Sequence, residues 1–418
     1  MFTPSLQAAV RDRFMHTDRC PFTGERVFFE NAGGALTLAS VVERAGELLG
    51  VPDNQGRDNP ASHALVSIIE QGRADMRAFL GCAAGPVFIG ESGTELLFRL
   101  VRTACLGSPE GGDVVGTTLE HPATASARRR WAAVAGKRLV NVPHSDATGG
   151  VTVDDYAKYV TADTRVATII QASPVTGIGV DVAAIAALIR ERAPECFIVI
   201  DGIQHAAHGH VDIDGYGIDG YVISPYKVFS RHNYGIAWAS DRLSELPHDQ
   251  LYGTPPSQWE LGTRDTSAYA CWTEVAAYLD WLGQQVGQDR GNRRSNIGQA
   301  ADAIAAHEQA LTGAMLHGTG NLPGLADMEA VTVIGGVDNP HREGLVCLTV
   351  DGVAAADVVT RLNDAGIRTH TRKADHYSAN VLSPLGLDAA VRVSMCHYNT
   401  TDEVARFLDV MRPIAGAA

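Results

Sequence analysis

The feature that most constrains the fold of this chain is an alternation of short β-rich runs with helical patterns between about residues 85 and 240. Typical of buried strands are the runs PVFIG, GDVVGTT, KRLVNVP, RVATIIQAS, CFIVIDG and DGYVIS. Between the fourth and fifth of these runs, the segment DVAAIAALIRERA has the apolar spacing and the basic last turn of a helix. Strands that alternate with helices predict an α/β domain built on a mostly parallel sheet between helices.

A different pattern begins near Thr266. The chain is nearly all helical to about Ala314, which predicts a bridging helix pair, and the last hundred or so residues then mix strands and helices. We therefore predict an N-terminal segment at 1–20, a large α/β domain at 21–290 and a smaller C-terminal α+β domain at 291–418.

The composition argues against several classes of protein. The chain has 34 Lys and Arg against 48 Asp and Glu, a net charge of −14, which disfavours nucleic acid as a partner. Its 7 cysteines show neither a CxxC pair nor clustering with histidines, so no disulfide framework or structural metal site is indicated. With no signal-peptide pattern and no apolar stretch of about 18 residues, we expect a cytoplasmic protein without a membrane partner.

The segment YVISPYKVFS places Lys227 in a turn directly after an apolar strand. Most lysines lie in solvated loops, so this position alone is compatible with an ordinary surface residue. The alternative is an amine nucleophile at the carboxyl end of a strand, where open α/β sheets bind their ligands.

The segment CFIVIDGIQHAAHG ends a second apolar strand with Asp201. A carboxylate in such a place is costly unless a cation or a hydrogen-bond donor meets it. Asp201 could cap the next segment, bind a metal beside His205 and His208, or hold a protonated heterocycle nitrogen. This stretch alone favours the first two possibilities.

Two further segments place polar groups after strands. In FIGESGTELLFRL, Gly93 and Thr94 start a helix where backbone N–H groups can bind an anion, although Ser or Thr there is often only a helix cap. In TTLEHPATAS, His121 follows the next strand, and a lone histidine is more often structural than catalytic.

One cofactor accounts for all of these positions together. Pyridoxal 5′-phosphate (PLP) requires an anion cradle, a platform for its ring, a carboxylate for its pyridinium nitrogen and a lysine for a Schiff base. We therefore expect Thr94, His121, Asp201 and Lys227 to meet at one edge of the sheet, with Lys227 as the general acid and base.

These segments resemble the fold type I PLP enzymes, specifically the class V aminotransferase group with its cysteine desulfurases, and the likeness covers nearly the whole chain. The resemblance implies a homodimer with shared active sites and a small amino acid as substrate. For the cofactor it implies contacts from Gly93, Thr94, His121, Asp201, Gln204, Ser224, Tyr226, Lys227 and, across the dimer interface, Thr263. For the substrate it implies contacts from Asn31, Ala32, Gly33 and Arg392, with Lys227 and His121 as catalytic residues.

The chain departs from that group at two places. Pro174 stands where many relatives carry an asparagine near the cofactor, and proline cannot donate that hydrogen bond. The segment GIRTHTRKADHYSANVLSPLG contains no cysteine, whereas desulfurases carry their persulfide-forming cysteine in this loop. Its residues Arg372, Lys373, Asp375, His376 and Tyr377 either contact the substrate side chain or form a solvated tip.

From the missing cysteine we expect a PLP-dependent lyase that carries out β-elimination on a small amino acid, in the manner of a C–S lyase. An aminotransferase or an amino-acid epimerase is the alternative, and cysteine desulfuration is disfavoured. A binding protein that keeps the fold without catalysis, and a metal hydrolase built on Asp201, His205 and His208, are weaker possibilities.

Overall fold

The computed structural model describes residues 1–416, and a seven-stranded sheet is its central element. The sheet follows the order β4-β10-β9-β8-β7-β5-β6, in which β10 alone is antiparallel to its neighbours. In chain order, the strands are β1 (Arg19–Cys20), β2 (Gly24–Glu25), β3 (Val27–Phe28), β4 (Val87–Gly90), β5 (Asp113–Thr117), β6 (Arg138–Val142), β7 (Thr164–Ile170), β8 (Phe197–Asp201), β9 (Gly220–Ile223), β10 (Gly235–Ala239), β11 (Val331–Val333), β12 (Leu345–Val350), β13 (Ile367–Arg368), β14 (His370–Lys373) and β15 (Ala389–Ser394).

Helices account for most of the remaining regular structure. They are α1 (Pro4–Arg11), α2 (Ala39–Leu49), α3 (Pro60–Leu80), α4 (Gly93–Gly107), α5 (Pro122–Val134), α6 (Val153–Ala157), α7 (Val182–Arg192), α8 (Ile213–Tyr216), α9 (Asp241–Ser244), α10 (Thr266–Val286), α11 (Arg293–His317), α12 (Ala355–Asp364), α13 (Ala379–Leu382) and α14 (Thr401–Ala415). Short 3-10 turns lie at Asn31–Gly33, His205–Ala207, Pro225–Lys227 and Leu325–Asp327.

The large sheet is covered on both faces, which explains its continuous apolar strands. Successive residues of β8 alternate between two hydrophobic cores: Ile198 and Ile200 pack in one, Phe197 and Val199 in the other. Such alternation follows from the period of two of a strand. The predicted α/β architecture with a mostly parallel sheet is therefore confirmed.

A four-stranded antiparallel sheet, ordered β11-β12-β15-β14, forms the smaller unit. It shares a hydrophobic core with α11, α12 and α14. Val27 and Phe29 from the N-terminal part of the chain also pack in this core, and β3 pairs in parallel with β13. Val27 and Phe29 therefore belong to the core of the smaller unit, although they precede the large sheet in the sequence.

The predicted boundary between the domains, at residues 290 and 291, falls in the connection between α10 and α11 and stays a prediction. Across residues 1–416, the structure has no helix with the length and apolar character needed to span a bilayer.

Candidate active site

The carboxyl ends of the parallel strands bring the predicted residues to one edge of the large sheet. Asp201 ends β8, Lys227 lies four residues after β9, and His121 lies four residues after β5. Gly93 follows β4 and begins α4. Because parallel strands end at the same edge, residues that are more than a hundred positions apart in sequence become neighbours.

Lys227 lies at the end of a 3-10 turn, and its Nζ donates a hydrogen bond to Gln204 Oε1 at 3.1 Å. Burial, together with the positive charge of Arg392, lowers the pKa of the Lys227 amine to about 7, while Asp201 opposes this shift. A substantial fraction of the amine is then neutral near pH 7, which is the form that acts as a nucleophile or a base.

Asp201 is buried, and two donors hold its carboxylate. Thr124 Oγ1 donates to Oδ2 at 3.0 Å, and the backbone N–H of Ile203 donates to Oδ1 at 3.2 Å. Burial raises the pKa of Asp201, and these hydrogen bonds act in the opposite direction. A buried carboxyl group of this kind favours a partner that shares a proton with it.

The start of α4 forms a close-packed cradle. A Cβ at Gly93 would lie 2.4 Å from Ser224 Oγ and 2.6 Å from Ile203 Cδ1, so glycine is required there. Ser92 caps the helix by accepting a hydrogen bond from the Glu95 backbone at 3.1 Å. Thr94 is exposed beside this helix start, where free N–H groups and the helix dipole favour an anion.

His121 caps α5, and its Nδ1 accepts a hydrogen bond from the Ala123 backbone at 3.2 Å. Burial, with the charges of Lys227 and Arg372, lowers the pKa of His121 to about 4. The ring is therefore neutral at physiological pH, with its proton on Nε2, and offers a flat uncharged face.

Tyr226 lies directly before Lys227 in the same 3-10 turn. Its ring stacks on His232 with centroids 4.5 Å apart. A Cβ at Gly34 would lie 3.3 Å from Tyr226 Cδ2, so the backbone at Gly34 packs closely on this ring. Burial raises the pKa of Tyr226, which keeps its hydroxyl protonated.

Arg392 on β15 faces the large domain from the small one. Its Nη1 donates to the carbonyl oxygen of Pro174 at 3.0 Å, and its Nε is buried without a hydrogen-bond partner. Pro174 has no N–H group with which to donate a hydrogen bond to a ligand. Its carbonyl oxygen instead accepts the hydrogen bond that orients Arg392. The sequence did not reveal this role of the Pro174 carbonyl.

The N-terminal turn at Asn31–Gly33 lies against the same strand. Asn31 Nδ2 donates to the Ser394 carbonyl at 2.8 Å, and the Ala32 N–H donates to Ser394 Oγ at 2.9 Å. A Cβ at Gly33 would lie 3.6 Å from Arg392 Nη2. The candidate substrate residues are therefore brought together by contacts between remote parts of the chain.

A buried chain of polar groups behind Lys227 was also missed. Gln204 Nε2 lies 3.3 Å from His208 Nε2, and His208 Nδ1 lies 2.7 Å from Glu308 Oε2. Burial acts to lower the pKa of His208, but the charge and hydrogen bond of Glu308 outweigh it and raise that pKa. His208 had a signal, four residues after Gln204, whereas nothing in the sequence singled out Glu308 on α11.

The histidines considered as metal ligands beside Asp201 contact other carboxylates instead. His205 Nδ1 lies 2.6 Å from Glu343 Oε1, and His208 is paired with Glu308. In the part of the chain that the structure describes, the one group with metal-ligand spacing is His208, Glu308 and Cys396, which leaves Asp201 out.

Thr263 lies in an exposed loop beside the cradle. Its neighbour Arg264 forms an ion pair with Glu91, the second residue before Gly93. The loop is therefore held near the start of α4, and the Thr263 side chain remains accessible from outside.

The thiols are mostly enclosed. Cys20 is partly exposed, and the other six cysteines are buried. Cys347 lies opposite Arg392 in the β12–β15 pair, and burial raises the pKa of its thiol to about 11. A thiol with so high a pKa is a poor nucleophile.

These residues fit the chemical groups of PLP. The glycine-lined start of α4 suits the phosphate of PLP, and the buried Asp201 suits its pyridine nitrogen. The neutral ring of His121 can pack against the face of the cofactor ring, and the Lys227 amine can react with its aldehyde.

The model of the family described as aminotransferase class-V matches residues 27–407. The chain belongs to the class-V aminotransferase family. PLP is the cofactor of this family, and the protein is a PLP-dependent enzyme.

Several relatives resemble it over most of their length. A probable cysteine desulfurase of Pseudomonas putida is 28% identical over 358 residues, which cover 82% of this chain and 81% of the relative. Probable cysteine desulfurase 2 of Mycobacterium leprae is 27% identical over 97% of this chain and 96% of its own. The aminotransferase-like protein FGM3 of Gibberella zeae is 26% identical over 92% and 93%.

Solved structures show the same fold. The apo cysteine desulfurase from Thermococcus onnurineus NA1 has a TM-score of 0.81 at 21% identity, with 100% of this chain and 99% of that chain covered. The cysteine desulfurase CsdA of Escherichia coli has a TM-score of 0.79, also at 21% identity and with the same coverage. The predicted fold type I architecture is confirmed.

These relatives correct the predicted reaction. We expected a β-eliminating lyase, with an aminotransferase or epimerase as the alternative, and disfavoured cysteine desulfuration. That expectation is wrong, because relatives and structural neighbours that span the chain are named cysteine desulfurases. The error came from a single missing residue, the loop cysteine.

Proposed function

We propose that this protein is a PLP-dependent enzyme of cysteine desulfurase type, which removes the sulfur of cysteine and leaves alanine. The observation that carries the proposal is the Lys227 amine, with its pKa lowered to about 7, hydrogen-bonded to Gln204 in the same site as Asp201 and His121. The names of the relatives support cysteine as the substrate.

In this proposal the large domain holds the cofactor. Gly93, Thr94, Ser224 and Tyr226 would hold its phosphate, and His121 would pack against its ring. The bound cofactor supplies an electron sink for the carbon atoms of the substrate.

The proton transfers then belong to groups of this chain. Asp201 would stabilise a proton on the ring nitrogen of the cofactor, and Gln204 would orient its phenolic oxygen. Lys227 Nζ would hold the aldehyde carbon of the cofactor. Once free, it would take the proton from the substrate Cα, deliver one to Cβ when the sulfur has left, and return one to Cα to complete alanine.

The small domain binds the substrate. The guanidinium of Arg392 is oriented by the carbonyl of Pro174, and its planar fork suits the α-carboxylate of an amino acid. The turn at Asn31–Gly33 closes the site beside it, so Asn31 and Ala32 contact the same ligand.

The sulfur acceptor in this proposal is an external thiol. Its thiolate attacks the substrate sulfur, the C–S bond breaks with its electron pair moving to Cβ, and Cβ takes a proton to give alanine. The sulfur leaves as a persulfide on the acceptor, so atoms and electrons balance. This assignment follows from the burial of Cys347 and from the absence of a cysteine between 367 and 387.

We further propose a homodimer in which Thr263 contacts the phosphate bound by the partner subunit. The exposure of Thr94 and Thr263 supports this, because an accessible phosphate site becomes enclosed when a second copy covers it. A monomeric mass in solution with the cofactor fully bound would contradict the dimer.

The test of the function is a product analysis with L-cysteine and excess dithiothreitol as the thiol acceptor. We expect alanine and sulfide in equal amounts from the wild type and neither from Lys227→Ala. Pyruvate and ammonia in place of alanine would mean elimination and would refute the proposal, as would the absence of any product from cofactor-loaded protein.

A further inference from the structure

The strand pair β14–β15 brings a second guanidinium group close to Arg392. His370 lies opposite Arg392, and Arg372 lies opposite Ala390. Because residues two apart on a strand point to the same face, Arg372 shares the face of His370 and Arg392. The exposed Lys373 points to the other face.

Neither guanidinium forms an ion pair with a carboxylate among residues 1–416, although the charge of Asp375 acts on Arg372. Arg372 donates from Nη2 to the Tyr377 carbonyl at 3.3 Å, and Arg392 donates to the Pro174 carbonyl at 3.0 Å. The Nε atom of each is buried without a hydrogen-bond partner. Glu30, whose charge acts on Arg392, is already paired with Arg368 and His370.

The charges around Lys227 are therefore unbalanced. Arg372 and Arg392 both act to lower the pKa of Lys227, and Arg372 also lowers that of His121, so both cations lie near the reaction centre. The proposed function gives Arg392 the α-carboxylate of the substrate, and the cofactor phosphate belongs to the start of α4. Arg372 is the cation that neither group neutralises.

We propose that Arg372 binds an anionic group on the side chain of the substrate, so that the site selects α-amino acids with an acidic side chain. The inference rests on the proposed function for its orientation of the substrate, with the α-carboxylate at Arg392. For cysteine the anionic group is the thiolate, whose formation a neighbouring guanidinium favours. An anion that reaches an unpaired and partly desolvated cation forms a charge-assisted hydrogen bond.

The test is a binding measurement with L-aspartate and L-asparagine, which have the same shape and differ in side-chain charge. Each is titrated into the cofactor-loaded protein, and the dissociation constant is read from the absorbance of the cofactor. We expect aspartate to bind about tenfold or more tightly than asparagine to the wild type, the range of a charge-assisted hydrogen bond. Equal affinities would overturn the inference.

Variants assign the preference to its residue. Arg372→Gln is expected to weaken the binding of aspartate to the level of asparagine, while the affinity for asparagine stays unchanged. Arg372→Lys is expected to keep part of the preference for aspartate. Lys373→Gln is the matched control, since it removes the same charge from the opposite face, and its preference should equal that of the wild type. An equal loss for both ligands in Arg372→Gln would mean a structural role and would refute the proposal.

The outcomes separate this inference from the proposed function. Aspartate preference without alanine formation from cysteine would uphold the anion site and refute the desulfurase. If the protein desulfurates cysteine but binds aspartate and asparagine equally, the desulfurase proposal is upheld and the anion site is refuted.

Discussion

The two halves of the candidate site differ in how the chain builds them. The half at the edge of the large sheet consists of residues that directly follow strands, such as Asp201 and Lys227. The half from the small domain consists of side chains on β14 and β15, which reach the site because the two sheets pack together. The first half fits the cofactor that the whole family shares, and the second is the side to which the proposed function assigns the substrate.

The largest effect should come from the cofactor half. We expect Lys227→Ala to lower the rate of alanine formation by at least about a thousandfold, because the variant loses both the nucleophile and the general base. The measurement is turnover of L-cysteine with added PLP. Lys373→Ala, which removes an exposed lysine, is the control and should retain wild-type turnover. A similar loss of turnover in Lys373→Ala would mean that the effect is not specific to Lys227.

The substrate half should respond differently. We expect Arg392→Ala to raise KM for cysteine by about a hundredfold with a smaller change in kcat, since a buried charge pair with the carboxylate is lost. Arg361→Ala, on the exposed side of α12, is the control for a lost arginine. An unchanged KM in Arg392→Ala would remove this residue from the substrate site.

The two halves are also coupled through charge. The pKa of Lys227 is lowered to about 7, so its neutral fraction grows as the pH rises through that value. We expect the rate at which the apoprotein reacts with PLP to increase about tenfold between about pH 6 and pH 8. In Arg392→Ala the midpoint should move to higher pH, because the positive charge that helps to lower the pKa is gone. A midpoint that stays in place would show that the halves act independently.

The smallest effect should come from the polar chain behind Lys227. We expect His208→Gln and Glu308→Gln each to lower kcat by about threefold to tenfold, with KM little changed, through looser orientation of Gln204. Because the two side chains act as one unit, the double variant should lose no more than either single variant. The pH profile of kcat should shift in the same direction in all three. Additive losses would argue for two separate structural roles.

The sequence predicted those site residues whose position follows from the few residues around them. An apolar strand followed by a short polar segment defines the position of Gly93, His121, Asp201 and Lys227, since parallel strands must end at one edge. It was less informative about Pro174, whose carbonyl orients Arg392, and about Glu308, which lies about a hundred residues from its partner His208. The sequence singled out Pro174 only for the donor that it lacks, and nothing in the neighbourhood of Glu308 marks that residue.

The amino-acid sequence alone determined the α/β class, the order of the strands along the chain and the cofactor, because strand periodicity and turn residues act within a few positions. It misled where a function was inferred from one absent cysteine. Only the tertiary structure decided which charges meet across the two domains. The environment that lowers the pKa of Lys227 and leaves Arg372 without a carboxylate depends on burial and on packing between remote segments, which no local pattern encodes.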